Sequence, residues 1–236
     1  MLKRLRLAAA ALGALGLVLI AGQANAAVLV DADAARGGSV SSTFRLGGEG
    51  NCGTGNVSAV SNAQRGRVRR FHKPSSSGRC ETHGVAGMQF RNNSTYYIGW
   101  WFNLSSTGDN NAVMQWKSYG HHIQNFPVVL RMRGGQLELM QRQPGPRESF
   151  PWHGRIAANQ WNHVVLGIHT SSELRGGWIE LYFNGSQQSL AGQQRYPCRT
   201  WDGENDLKLG VYGARGRTVT NLIDGPTIGT TYADVD

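Results

Sequence analysis

The sequence predicts an all-β protein built as a two-sheet antiparallel sandwich. Three observations lead there. No helical period of any length runs through the chain. Many short strand-like runs are separated by Gly, Asn, Asp, Ser and Pro. Within those runs apolar and polar residues alternate, as they do in strands with one buried face.

The elements follow in chain order. Lys3, Arg4 and Arg6 form a basic head, followed by the apolar run "LAAAALGALGLVLIAG" and then "ANA" at 24–26. This is the pattern of a secretory signal peptide over residues 1–26. Residues 27–236 are left as a single domain in an exported, extracellular protein. The run is too short and alanine-rich for a membrane anchor, and no later segment is apolar enough to span. Strands are expected at "AVLVDA" and "VSSTFRL". The stretch 47–78, rich in Gly, Ser, Asn and Arg, reads as a long loop or insertion. Further strands are expected at "GVAGMQFR", "TYYIGWWFNL", "NAVMQWKSY", "FPVVLRMRG", "QLELMQR", "WNHVVLGIHT", "GGWIELYFNG", "DLKLGVYG" and "TVTNLIDG". "GG" at 134–135 and "NG" at 184–185 are hairpin signals. No repeat and no interdomain linker interrupts the series.

Charge and cysteines bound the function. The formal net charge is +9, of which the signal peptide carries three positive charges. An exported basic protein is suited to a polyanionic glycan rather than to nucleic acid or a membrane. Three cysteines, Cys52, Cys80 and Cys198, allow one disulfide with one thiol left over. Cys80 has the parity of a core residue, so Cys52 is expected to pair with Cys198. His163 and His169 share a face of their run and read as solvated.

Period two then sorts the side chains. In "SGRCETHGV", Arg79, Glu81 and His83 lie opposite Cys80. In "AVMQWKSY", Gln115 and Lys117 lie opposite Met114 and Trp116. In "VVLRMRG", Arg131 and Arg133 oppose Leu130 and Met132. In "DLKLGVYG", Lys208, Gly210 and Tyr212 oppose Leu207, Leu209 and Val211. Four strands thus share one apolar face and one face of Arg, His, Gln, Lys and Tyr, a cationic hydrogen-bonding floor.

Those residue types suit a uronic acid cut by β-elimination. The carboxylate must be neutralised so that the C5 proton becomes acidic, which Gln or Arg does by hydrogen bonding. A base must take that proton, and His titrates near working pH. An acid must protonate the leaving O4, and Tyr suits that role. Lys208, on the same face as Tyr212, tunes or positions the phenol.

The motifs "RCETH" at 79–83, "QWK" at 115–117 and "LKLGVY" at 207–212 resemble, in the same order, the R-x-E-x-R, Q-I-H and Y-x-K-A-G-x-Y strands of alginate lyases. Framework runs "STYYIGWWFNL" and "IELYFNG" add to the likeness, which covers most of the chain from about residue 79. His83 stands where alginate lyases have an arginine, and Lys117 where they have a histidine. That arrangement resembles more closely the jelly-roll polysaccharide lyases of the glucuronan lyase and heparin-lyase-I-like group. The resemblance implies a β jelly roll with a concave substrate groove and an endo-acting, monomeric lyase on an anionic polysaccharide, glucuronan first and alginate second. It assigns proton handling to His83 and Tyr212 and carboxylate neutralisation to Gln115. Arg79, Lys117, Arg131, Lys208 and His122 follow as substrate-binding residues, and His121 is a further candidate. No cofactor is implied for the chemistry. A structural calcium is, with Asp31 and Asp224 as candidate ligands and Asp33 and Asp234 nearby.

Two rivals remain. A carbohydrate-binding module of the same fold would rely on aromatic stacking, for which Trp100, Trp101 and Trp152 are candidates. A jelly-roll glycoside hydrolase needs two carboxylates flanking the bond, and no E-x-D-x-E run is present.

Overall fold

The computed structural model describes residues 27–37, 40–46, 51–109, 111–121, 123–145 and 147–236. The expected signal peptide, residues 1–26, lies outside the described residues.

Among the described residues fifteen strands form two antiparallel sheets. They are β1 (Val28–Asp31), β2 (Val57–Asn62), β3 (Gly66–Lys73), β4 (Arg79–Glu81), β5 (Thr95–Leu104), β6 (Asn111–Ser118), β7 (Val128–Arg133), β8 (Gln136–Arg142), β9 (Glu148–Arg155), β10 (Trp161–His169), β11 (Gly177–Phe183), β12 (Ser186–Gln187), β13 (Tyr196–Cys198), β14 (Asn205–Gly213) and β15 (Val219–Gly229). One sheet runs β12-β11-β10-β5-β15-β3-β2, with β1 on β15 and β13 on β11. The other runs β4-β14-β6-β7-β8-β9. The fold is the expected β-sandwich jelly roll.

Alternation places the core between the sheets. Ile98, Trp100 and Phe102 from β5 meet Met114 and Trp116 from β6, Leu130 and Met132 from β7, and Leu207, Leu209 and Val211 from β14. All are essentially excluded from water, and each side chain of that size stabilises by about 1.5–3 kcal/mol on burial. Both hairpin signals hold. Gly134 and Gly135 have φ of 58° and 73° in the turn from β7 to β8, and Asn184 and Gly185 have 50° and 78° in the turn from β11 to β12. Positive φ at both central residues matches the strand twist.

Several expectations are corrected. "VSSTFRL" forms a short helix, Val40–Thr43, and then an isolated bridge from Phe44 to Val85. That bridge is the only strand-like pairing in "GVAGMQFR". The stretch read as a loop contains the β2–β3 hairpin. Its pattern was hidden because two of the three buried odd positions at the end of β3 are charged: Arg69, Phe71 and Lys73 are all buried. Arg69 Nε donates to the Ala32 carbonyl at 3.0 Å. Lys73 Nζ donates to the carbonyls of Pro74, Ser77 and Arg217 at 3.1, 2.9 and 2.7 Å. The strand β9 also went unread, its Glu148, His153 and Arg155 lying exposed near the sheet edge.

Lys73 thereby ties together the loops on either side of Arg79 and Tyr212. A Lys73→Met variant keeps the stem but leaves three carbonyls without their donor. We expect it to lower unfolding free energy by about 1–3 kcal/mol, read from urea denaturation. A midpoint equal to wild type would show that the three bonds contribute nothing net.

The disulfide also differs from expectation: Cys52 bonds Cys80, and Cys198 is the free, buried thiol. Cys80 does point inward, fully buried. The segment 51–56 packs beside β4, as Asn51 Nδ2 donating to the Glu81 carbonyl shows, whereas Cys198 sits on β13 in the other sheet. His163 is not solvated either. It is 7 % exposed and stacks on Trp101, its cross-strand neighbour, with ring centres 4.6 Å apart. His169 stacks on Trp178 and pairs with Thr95 at 3.0 Å.

Candidate active site

The outer face of β4, β14 and β6 gathers the functional groups. In β14 Leu207, Leu209 and Val211 enter the core, so Lys208, Gly210 and Tyr212 face away from it. Pairing then sets the neighbours. Tyr212 lies opposite Arg79, and Gly210 opposite Glu81 on β4. Lys208 lies opposite Gln115, and Asp206 opposite Lys117 on β6.

Glu81 is the centre of this face, and it was not singled out from the sequence. Its Oε1 accepts from Lys208 Nζ at 2.7 Å and its Oε2 from Gln115 Nε2 at 2.7 Å. Arg79 Nη1 lies 3.6 Å from Oε1. The side chains of Lys208 and Glu81 are each 3 % exposed. Burial pushes the Glu81 carboxyl up, and the Lys208 ammonium, the Gln115 amide and the Arg79 guanidinium pull it back. The glycine between Lys208 and Tyr212 has its explanation here. Gly210 has φ +141°, and a Cβ on it would lie 2.3 Å from the Cys80 carbonyl oxygen and 2.6 Å from Glu81 Cα. Only glycine allows β4 and the Glu81 carboxylate this close.

Around the centre stand the other predicted residues. The Arg79 guanidinium lies 4.8 Å from the Tyr212 ring centre, and Tyr212 is 39 % exposed. His83 follows β4, its backbone N–H donating to the Arg45 carbonyl at 2.7 Å. Its Nε2 is buried without a partner. Burial first, then the charges of Lys208 and Arg79, lower the imidazole pKa to about 4. His83 is therefore uncharged at neutral pH. The same burial, then Lys208 and Arg79, lowers the Lys117 pKa. Lys117 Nζ donates to the Ser118 carbonyl at 2.7 Å and to Asn125 Oδ1. Asp206 pairs with Arg45 and accepts from the backbone N–H groups of Val85 and Leu207 at 3.1 and 2.8 Å. Burial raises its pKa to about 6.

Arg131 lies on β7, opposite Ala112. It is held by Glu138 at 3.1 Å and stacks over Phe150 at 5.2 Å. His122 lies outside the described residues, and His121 is exposed. The structure thus brings Arg79, His83, Gln115, Lys117, Lys208 and Tyr212 onto three adjacent strands or their immediate ends. Arg131 stands one strand further out.

The candidate calcium ligands all have partners within the protein. Asp31 pairs with Arg36, and Asp224 with Arg65 Nε at 2.5 Å. Asp33 caps Ala35 N–H at 2.8 Å, and Asp234 Oδ2 accepts from the N–H groups of Thr230 and Thr231. Among the described residues no group of three or more His, Cys, Asp and Glu is placed to hold a metal. The tryptophans proposed for sugar stacking are also occupied. Trp100 and Trp152 are buried in the core, and Trp101 carries Arg65 at 3.9 Å besides His163.

A search of curated proteins by sequence finds no match. Solved structures share the fold. Cellulose induced protein, Cip1, superposes with a TM-score of 0.63 at 12 % identity, over 86 % of this chain and 97 % of that one. Alginate lyase A1-II′ superposes with a TM-score of 0.55 at 12 % identity, over 73 % of this chain and 83 % of that one. A family model described as polysaccharide lyase matches residues 20–233. With nearly the whole domain inside that match, the chain belongs to the polysaccharide lyase family.

Proposed function

We propose that the protein is a secreted, monomeric, endo-acting lyase that cleaves a polyuronate by β-elimination, with β-1,4-glucuronan as its first substrate. The observation that supports it most is the buried Lys208–Glu81–Gln115 cluster, flanked on one face by Arg79 with Tyr212 and by an uncharged His83.

The chemistry follows from those groups. Glu81 engages one N–H of the Gln115 amide, and the second is left for the substrate carboxylate. Arg79 and Lys117 add positive charge. These contacts strengthen as the carboxylate takes on enolate character. His83 Nε2 takes the C5 proton. The C5–H electron pair becomes the C4–C5 double bond, and the C4–O4 pair leaves with O4. The Tyr212 hydroxyl gives O4 its proton. The product carries an unsaturated uronate at its new non-reducing end.

Glucuronan stands ahead of alginate because His83 and Lys117 occupy the positions of the alginate-lyase arginine and histidine. The Arg79–Glu81 pair, shared with R-x-E-x-R, favours alginate as the second reading. Incubation with a panel of polyuronates, followed by ultraviolet absorbance, separates the readings. A lyase on glucuronan raises absorbance from the conjugated product. Reducing ends released without that absorbance would mean a hydrolase, and binding without turnover would mean a binding module.

The His83 environment sets a pH expectation. A base must be uncharged to act, and the folded-state pKa of His83 is depressed to about 4. The kcat/KM profile is expected to hold down through pH 6 and to fall only as pH drops through about 4. An acid limb near 6.5, the ordinary histidine value, would mean that the base titrates without this depression.

A further inference from the structure

Buried polar atoms without partners are rare in native proteins, and each calls for a reason. Among the described residues, two belong to side chains on the face of the site, at its Asp206 end. His83 Nε2 is one, and the hydroxyl of Tyr119 is the other. Tyr119 has no assigned role in the mechanism above.

Tyr119 follows directly on β6, and its backbone N–H still bonds the carbonyl of Glu204, just ahead of β14, at 2.7 Å. It continues the odd-numbered series Gln115, Lys117, Tyr119. Its phenol is in electrostatic reach of Asp206, Glu81, Arg45 and Arg79, all groups of this site. The Lys117 ammonium lies 5.1 Å from its ring centre. The strand order β4-β14-β6 sets His83 and Tyr119 on the two flanks of the Asp206 end of β14. Trp100 Nε1, orphaned in the core, has no such surroundings, and Asn205, whose Nδ2 is orphaned nearby, has the parity of Leu207 and Leu209 and so points away from this face.

A phenol hydroxyl is both donor and acceptor. Burial first, and then the Asp206 and Glu81 carboxylates, raise the Tyr119 pKa to about 12. The hydroxyl therefore keeps its proton at every working pH and has a donor to offer. Among the described residues no acceptor takes it.

We propose that Tyr119 is a substrate-binding residue whose hydroxyl donates to an acceptor oxygen of the bound uronate chain, fixing the sugar that lies at the Asp206 end of the face. The inference rests on the polyuronate reading for its ligand, and on geometry alone for its place. It makes Tyr119 a specificity residue: an oligomer lacking an acceptor oxygen there loses the contact and leaves the hydroxyl buried and unpaired.

The test is Tyr119→Phe, with three readouts. An unpaired buried hydroxyl does not stabilise the free protein, so Tm is expected to stay equal to wild type or rise. Affinity for a glucuronan oligomer, from titration calorimetry, is expected to fall about tenfold, as loss of one good hydrogen bond gives. In steady state KM should rise with kcat little changed. An unchanged Kd overturns the proposal, and so does a Tm that falls together with affinity, which would mean a structural hydroxyl. If wild type cleaves no polyuronate, the lyase reading fails; the calorimetry, with neutral oligosaccharides added, still decides Tyr119. Failure of one is thus distinguishable from failure of the other.

Discussion

Tyr212→Phe is expected to lose a hundredfold or more in turnover on its best polyuronate while folding as wild type does. The substitution removes one hydroxyl. The ring that the Arg79 guanidinium covers at 4.8 Å is kept. Tyr212 is 39 % exposed, so no core packing depends on the lost atom. General acid help of this kind typically contributes 10²–10⁴-fold, and no nearby group on β14 replaces it: Gly210 has no side chain and Lys208 is bound to Glu81. The measurement is initial rate by absorbance of the unsaturated product, with Tm beside it. A variant that cleaves at the wild-type rate would remove Tyr212 from proton transfer. Gln115→Ala should slow the same step, but it also releases Glu81 from one of its two closest partners. Its effect therefore mixes chemistry with the arrangement of the cluster.

Strand β14, which carries Tyr212, was legible because apolar residues alternate along it. Leu207, Leu209 and Val211 all reach the core, so Lys208 and Tyr212 could be placed on one face from sequence alone. Where a strand turns charged groups inward, alternation fails as a signal. Arg69 and Lys73 are buried, and β3 read as loop. Parity also says which way a side chain points and nothing of what lies beyond it. It sent Cys80 inward correctly, yet the partner is Cys52, chosen by the path of a segment without regular alternation. His163 read as solvated because its stacking partner Trp101 comes from a strand about sixty residues away in sequence. Glu81 was on the right face in the sequence, between Arg79 and His83. What its sequence could not show is that Gly210 lets it sit directly against β14, with Lys208 and Gln115 closing on both oxygens.

That cluster makes Glu81→Ala the largest stability loss we expect, about 3–5 kcal/mol. The reason is the partner left behind. The Lys208 side chain is 3 % exposed and its ammonium donates to Glu81 at 2.7 Å. Without the carboxylate it is a positive charge in a site already made positive by Arg79 and Lys117. The Gln115 amide also loses its acceptor. The loss is an effect of uncompensated charge rather than of a strong bond, and a second variant separates the two. Lys208→Met in the Glu81→Leu background removes both charges and keeps apolar stems, so it should recover much of the stability. Urea denaturation of wild type, Glu81→Leu, Lys208→Met and the double variant gives the cycle. Additive single losses would show that Glu81 and Lys208 act independently, contrary to the geometry. Turnover should not recover with stability. The double variant folds around an apolar pair, but Gln115 no longer has the carboxylate that holds its amide toward the substrate. A double variant that regained both would mean that Glu81 serves the fold alone.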